Sequence, residues 1–237
     1  MTSQHHGHDH GAAAQHSALA PPDGEDEWDQ WYADGEQIWS GRPNGALVAE
    51  VEGLQPGRAL DAGCGEGADA VWLASRGWQV TALDVSEVAL DRARSAAADA
   101  GVDVSWMHSG LVEAPLEGAA FDLVSVQYPA LRHNREHDAE RALLDAVAPG
   151  GILLAVFHAD VDVEWADAHG VDPDDYVGHD HLAALLGDGW RVETDERRPR
   201  TIEGGSGAGH VEDLVLKARR LAEGSSYTPE ETGTPPL

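Results

Sequence analysis

Residues 58–74 read RALDAGCGEGADAVWLA. A short apolar run ends at Gly63. Gly63, Gly65 and Gly67 then lead into Ala68, Val71, Trp72 and Ala74, which recur at helical spacing until Gly77. The pattern is a strand, a tight turn and a helix. Glycines after a first strand let the backbone turn sharply and approach a ligand, and the following helix start offers free N–H groups. Gly63-x-Gly65-x-x-Ala68 satisfies a dinucleotide-binding pattern. Asp84 lies about 20 residues on, after a second apolar run, where an acid for ribose hydroxyls belongs.

The acids on this turn separate two cofactors. A diphosphate here would meet Asp61, two residues before the first glycine, and Glu66 inside the loop. Each carboxylate–phosphate pair is repulsive by about 1 kcal/mol even at high effective dielectric. S-adenosyl-L-methionine has no phosphate and carries an ammonium and a sulfonium, both of which favour nearby carboxylates. The order of acids and glycines therefore favours the sulfonium cofactor, with an NAD(P)-dependent oxidoreductase as the alternative.

Outward from the turn, apolar runs alternate with helical patterns. "QVTALDV" is a second strand, and Ser86 caps an Ala-rich helix over 87–100. "VDVSWMHS" is a third strand and "AFDLVSVQY" a fourth. A helix over about 136–148 precedes "PGG" and the fifth strand "ILLAVFH". After an acidic loop come a helix near 179–187 and strands at 190–196 and 210–220. "GGSGAG" joins those last two strands without a helix, which suits an antiparallel hairpin. The expected fold is α/β, a parallel sheet with an antiparallel finish in a single domain over 25–222. Residues 1–24 and 223–237 hold little to bury and are expected to be disordered.

The 237 residues carry 43 acids against 15 bases, a net charge of −28, and Lys217 is the only lysine. Such a chain repels phosphate backbones and anionic lipid, which argues against nucleic acid and membrane partners. Salt adaptation or solubility accounts for the charge without reference to a substrate. The polar, histidine-rich start does not read as a signal peptide, and the single cysteine, Cys64, cannot form an internal disulfide. A cytoplasmic location is expected, as a monomer or homodimer.

Five markers in order resemble the class I S-adenosylmethionine-dependent methyltransferases. They are "LDAGCGEG", "VTALDVS", "FDLVSVQYPAL", "LLDAVAPGGILLAVF" and the helix-free last hairpin. The resemblance implies a Rossmann-like seven-stranded sheet of order 3-2-1-4-5-7-6, with strand 7 antiparallel and helices on both faces. It also implies that Asp61, Gly63, Cys64 and Gly65 hold the methionine part of the cofactor. Asp84 and Val85 would take the ribose, with Leu111 and Gln127 as further contacts. Where the family often has an acid for the adenine amino group, "SGLVEAP" has Gly110, which leaves backbone near Leu111 and Val112 or the Glu113 side chain.

A narrower resemblance lies upstream. "WDQWYADGEQIWSGRPNGALV" (28–48) is similar to the N-terminal segment of tellurite-resistance and thiopurine-type small-molecule methyltransferases. That likeness implies a lid over the cofactor, with Trp28, Trp31, Tyr32 and Trp39 excluding water and offering π-faces to the sulfonium. Plain packing of these aromatics on the sheet is the alternative.

The methyl acceptor belongs above the ends of strands four and five. Gln127, Tyr128, His133 and His158 fall there, with Trp39 and Arg42 from the lid; Tyr128 and His158 are the candidate catalytic residues. Tyr128 reads equally as a strand-end packing aromatic; His133 reads rather as a solvated loop residue, His210 as a structural histidine, and Cys64 as a small packing side chain. A soft sulfur, selenium or tellurium nucleophile needs alignment and dehydration more than a base. The run "HHGHDHG" at 5–11 offers weak metal binding by His5, His6, His8 and His10, and with it a second alternative: a non-catalytic protein that handles metals or metalloids. No metal ligand is expected within the domain itself.

Overall fold

A computed structural model describes Pro22 and residues 24–222, except 36, 117, 119, 161–163, 165, 167, 169 and 201–210. The histidine-rich run, the glycine loop at 204–209, His210 and the residues from 223 onward lie outside the described residues.

Seven strands form one sheet: β1 (Arg58–Ala62), β2 (Gln79–Asp84), β3 (Ser105–His108), β4 (Phe121–Gln127), β5 (Val147–His158), β6 (Trp190–Pro199) and β7 (Glu212–Arg220). Their spatial order is β3-β2-β1-β4-β5-β7-β6. The first five pair in parallel, and β7 runs antiparallel to both β5 and β6. Six α-helices accompany them among the described residues: α1 (Glu25–Ala33), α2 (Gly45–Val51), α3 (Ala68–Ser75), α4 (Glu87–Ala100), α5 (Asp138–Ala146) and α6 (His179–Leu185). This is the expected seven-stranded arrangement.

The central strands are apolar at consecutive positions because both faces are covered. Successive side chains point to opposite faces. Leu60, Leu153 and Leu216 therefore join one core with Leu143 and Leu182, while Ala59, Leu154 and Val215 join another with Leu47 and Leu73.

The α5 pattern ends earlier than the expected boundary near 148. Val147 is already strand, and β5 runs through Pro149 and Gly150 to His158. Val147 pairs with Phe121 before the register shifts, so pairing with β4 claims residues that helical periodicity alone assigns to the helix.

Gly67 closes the β1–α3 turn with φ 80° as the N-cap of α3. A Cβ there would lie 2.6 Å from the Ala93 Cβ on α4, so the close approach of the two helices requires glycine.

Candidate active site

The carboxyl ends of β1, β2, β4 and β5 open into one cavity of about 610 Å³. Asp61, Gly63, Cys64, Gly65, Asp84, Val85, Leu111, Gln127, Trp39, Tyr128 and His158 all line it. Every residue that sequence reasoning assigned to the cofactor or to catalysis thus faces one space. His133 does not; its ring packs elsewhere, and Trp31 is likewise absent from the lining.

The turn is held by its own backbone. The N–H groups of Gly63 and Cys64 both donate to the Leu83 carbonyl at 2.9 Å, tying the loop to β2. Asp84 accepts from the Gly65 N–H at 2.8 Å and the Ser86 N–H at 3.0 Å. A carboxylate offers about four acceptor positions, so Asp84 keeps capacity for hydroxyl donors.

Asp61 is 2% exposed, and its Oδ2 has no hydrogen-bond partner. Burial, with the charges of Asp69 and Asp84, pushes its carboxyl well above the ordinary carboxylate range. Burial also raises Asp69 to about 6, against the contacts from Asn44, and raises Asp84. Three buried acids beside one cavity, one with an orphaned oxygen, make a receptor for positive charge and a poor one for diphosphate. These residues fit the ammonium and sulfonium of S-adenosylmethionine.

Glu66 does something else. Its Oε1 accepts from the Ile38 N–H at 3.2 Å and pairs with Arg92 Nη1 at 2.7 Å, and its Oε2 accepts from the Trp39 N–H at 2.9 Å. Glu66 is committed to the N-terminal segment, so Asp61 alone carries the electrostatic argument that sequence reasoning divided between them. Burial raises the Cys64 thiol well above its usual value, which keeps it protonated and supports a packing role.

The N-terminal segment roofs the cavity. Trp28, Tyr32, Trp39 and Arg42 line it, and a Cβ on Gly65 would meet Tyr32 Oη at 2.9 Å and Trp39 Nε1 at 3.1 Å. The Trp39 indole donates to Tyr32 Oη at 3.0 Å, while Trp31 packs edge-on against Trp28 at 5.4 Å. Two further acids anchor this roof. Asp29 accepts from Ser86 Oγ at 2.6 Å and the Val88 N–H at 3.1 Å. Asp69 accepts from both the main-chain N–H and the side-chain amide of Asn44, each at 2.7 Å.

On the adenine side, the Glu113 carboxylate fills the space that a side chain at Gly110 would occupy. Of the alternatives left open by Gly110, this one places an acid where the missing residue would have put it.

At the far wall, Tyr128 has φ 50°, a left-handed conformation that costs a non-glycine residue on the order of 1 kcal/mol and gathers at functional positions. Its hydroxyl donates to Asp213 Oδ1 at 2.9 Å. Its ring stacks on His158 at 4.3 Å, with planes 17° apart, and the Arg200 guanidinium lies 4.5 Å from the ring centre. Burial raises the Tyr128 hydroxyl far above its ordinary value, so it stays protonated. Arg92, Asp29, Asp69, Arg200 and Asp213 were not found from sequence. Asp69 lies within the opening motif but shows its role only once Asn44 reaches it, and the other four arrive through tertiary packing.

With this geometry in place, the likeness to known proteins is specific. Residues 59–151 match the family described as a methyltransferase domain. Over that segment, fold and site resemble those of methyltransferases with a Rossmann-like sheet, a class whose cofactor is S-adenosyl-L-methionine. The chain is 34% identical over 130 residues to a ribosomal RNA small subunit methyltransferase C from Alcanivorax borkumensis, a match over 51% of this chain and 39% of the relative. It spans about half the length, or less, of the first curated relatives it matches.

Among solved structures, one described by the conversion of a disulfide bond into a thioacetal group during echinomycin biosynthesis superposes with a TM-score of 0.66 at 25% identity, covering 85% of this chain and 94% of that one. The N-methyltransferase NodS of Bradyrhizobium japonicum WM9, in complex with S-adenosyl-L-homocysteine, superposes at 0.62 with 17% identity over 84% of this chain and 99% of its own. No helix among the described residues is long and apolar enough to cross a membrane. The tellurite-resistance and thiopurine branch remains a resemblance of residues 28–48.

Proposed function

We propose that this chain methylates a small molecule bearing a soft, anionic nucleophile, with sulfur first and selenium or tellurium next. The observation that carries this reading is the state of the far wall. The Tyr128 hydroxyl is protonated and committed to Asp213, while Arg132 and Arg200 line the same cavity, the Arg200 guanidinium lying over the Tyr128 ring. A wall of this kind orients and attracts an anion without having to deprotonate it.

S-adenosylmethionine, when bound, supplies a methyl group made electrophilic by the sulfonium. Asp61 binds the ammonium through its orphaned oxygen, and Gly63 and Gly65 let the backbone approach the methionine part. Asp84 would accept from the ribose hydroxyls, Glu113 would accept from the adenine amino group, and Leu111 and Val85 would pack beside them. The roof at Trp28, Tyr32 and Trp39 excludes water and presents π-faces to positive charge. His158, stacked on Tyr128, orients the acceptor.

The solved structure described by disulfide-to-thioacetal chemistry supports sulfur as the acceptor atom. The ribosomal RNA relative favours an RNA acceptor instead, but a net charge of −28 opposes a polyanion. The test is incubation with methyl-labelled S-adenosylmethionine and a panel of thiols, selenols, halides, phenols, amines and total RNA. Label on thiols or selenols, and little on phenols or RNA, is expected. Preferential labelling of RNA, or silence on every soft nucleophile despite cofactor binding, refutes the reading.

A further inference from the structure

A second cluster of polar groups lies behind the cavity wall. Glu140, in the first turn of α5, is 0% exposed. A buried carboxylate is strongly unfavourable unless a cation or full hydrogen bonding compensates it. Glu140 Oε1 meets only imidazoles: His133 Nδ1 at 2.5 Å and His137 Nδ1 at 3.9 Å. Its Oε2 has no hydrogen-bond partner, and neither does the buried Nδ1 of His137. Neither arginine nor lysine pairs with it, in a domain where Glu66, Glu50 and Glu193 all do find such partners.

His181, from the first turn of α6, completes the group. Its ring stacks on that of His133 at 3.9 Å, with planes 13° apart. Two imidazoles and a buried acid thus gather at one place. In the tautomer with Nδ1 protonated, His181 donates to the Tyr176 carbonyl at 3.1 Å, which orients the ring and leaves the Nε2 lone pair to ligate. One donor atom from each of His133, Glu140 and His181 lies within 4.8 Å of the others. Ligands at about 2.0–2.2 Å around a tetrahedral ion sit roughly 3.4 Å apart, so the wider contacts must close by about 1 Å and the direct His133–Glu140 contact must open by about as much.

We propose that His133, Glu140 and His181, with His137 as a fourth donor, bind a divalent borderline transition cation of the zinc class. Imidazole nitrogen with one carboxylate oxygen is a donor set that zinc, cobalt and nickel accept and that magnesium and calcium do not favour. The ion joins three elements: the strand-like bridge of Arg132 to Tyr176, the start of α5 and the start of α6. Leu131, Arg132, Asn134 and Asp138 beside it line the acceptor end of the cavity, so the ion braces that wall rather than touching the reacting atoms. This departs from the expectation that the domain holds no metal ligand and that His133 is solvated.

The test uses the full chain with His5, His6, His8, His10 and His16 all replaced by alanine, which removes the competing histidines near the N-terminus. Zinc is titrated against a chromophoric chelator, and cobalt is added separately for its visible spectrum. About one equivalent of zinc with histidine ligation, a tetrahedral cobalt spectrum and a higher melting temperature with zinc are expected. His133→Ala and His181→Ala should each weaken zinc binding at least tenfold while still binding S-adenosylhomocysteine, which shows that they are folded. The cobalt spectrum reads the unaltered cluster even where a substitution unfolds the chain. Loss of all zinc binding with the five N-terminal histidines, or zinc binding unchanged in both cluster variants, overturns the proposal.

Discussion

Asp61→Asn isolates the charge on which the cofactor assignment rests. A carboxylate and an ammonium in contact, about 4 Å apart, attract by about 4 kcal/mol at an effective dielectric of 20. Part of this is offset, because Asp61 is buried beside Asp69 and Asp84 and must first ionise against them. A net loss of about 2–3 kcal/mol is expected, weakening S-adenosylhomocysteine binding roughly 30- to 150-fold by calorimetry. Stability should move the other way. The amide removes an acid that burial and two acids already disfavour, so the ligand-free variant should melt about 2–4 °C higher per kcal/mol relieved. Methylthioadenosine, which lacks the amino-acid part, should bind both proteins alike. A variant that binds S-adenosylhomocysteine within about threefold of the parent refutes the assignment of Asp61 to the ammonium. One that melts lower and loses both ligands refutes the electrostatic account.

The same cluster sets a pH dependence. Folded-state pKa values raised by burial mean that the native state holds more protons than the unfolded chain, so this cluster's contribution to stability falls as pH rises from about 4 through about 6. A bound cation reverses the balance: binding S-adenosylhomocysteine near pH 6 should release protons, seen as a buffer-dependent calorimetric enthalpy, and proton uptake would contradict it. Glu66→Gln breaks a pair in which Arg92 is only partly buried, so about 1–3 kcal/mol of stability should be lost and the Ile38 and Trp39 amides should exchange faster; unchanged protection of those amides sinks the claim. Gly67→Ala, with φ 80° and Ala93 in the way, should cost about 2–4 kcal/mol in urea unfolding, and a neutral result would mean that α3 and α4 separate freely. Gly110→Asp should impair binding of S-adenosylhomocysteine, and adding Glu113→Ala should restore it; additive losses would show that the two positions do not share one space.

Local chemistry made the sheet legible. The β1 turn is decided by residues within ten positions of one another, and a glycine loop too short for a crossover told the direction of β7. The β5 start was misjudged because Val147 and Ala148 continue a helical pattern, and only pairing with β4 decides otherwise. The floor of the site was readable for the same reason as β1. Its walls were not. Asp213 comes to Tyr128 because β7 pairs His158 with Asp213, and Arg92 reaches Glu66 from the face of α4. Glu66 itself misled, since an acid in a cofactor loop looks like a ligand contact until the segment that uses it is seen.

The match to the methyltransferase family begins at residue 59, just after the roof ends. Side-chain links from roof to floor run through Asp29 to Ser86 and Val88, Ile38 and Trp39 to Glu66, and Asn44 to Asp69. Arg92 adds bonds to the Tyr32 and Gly35 carbonyls, and α2 beyond Asn44 is built into the core through Leu47 and Val51, so the part held by side-chain latches is residues 24–44. A different cover carrying an acid, two free amides and an asparagine at those places could be mounted on the same floor. Exchange of residues 24–44 between relatives is therefore a direct way to change what is admitted to the cavity while leaving intact the floor proposed to hold the methyl donor.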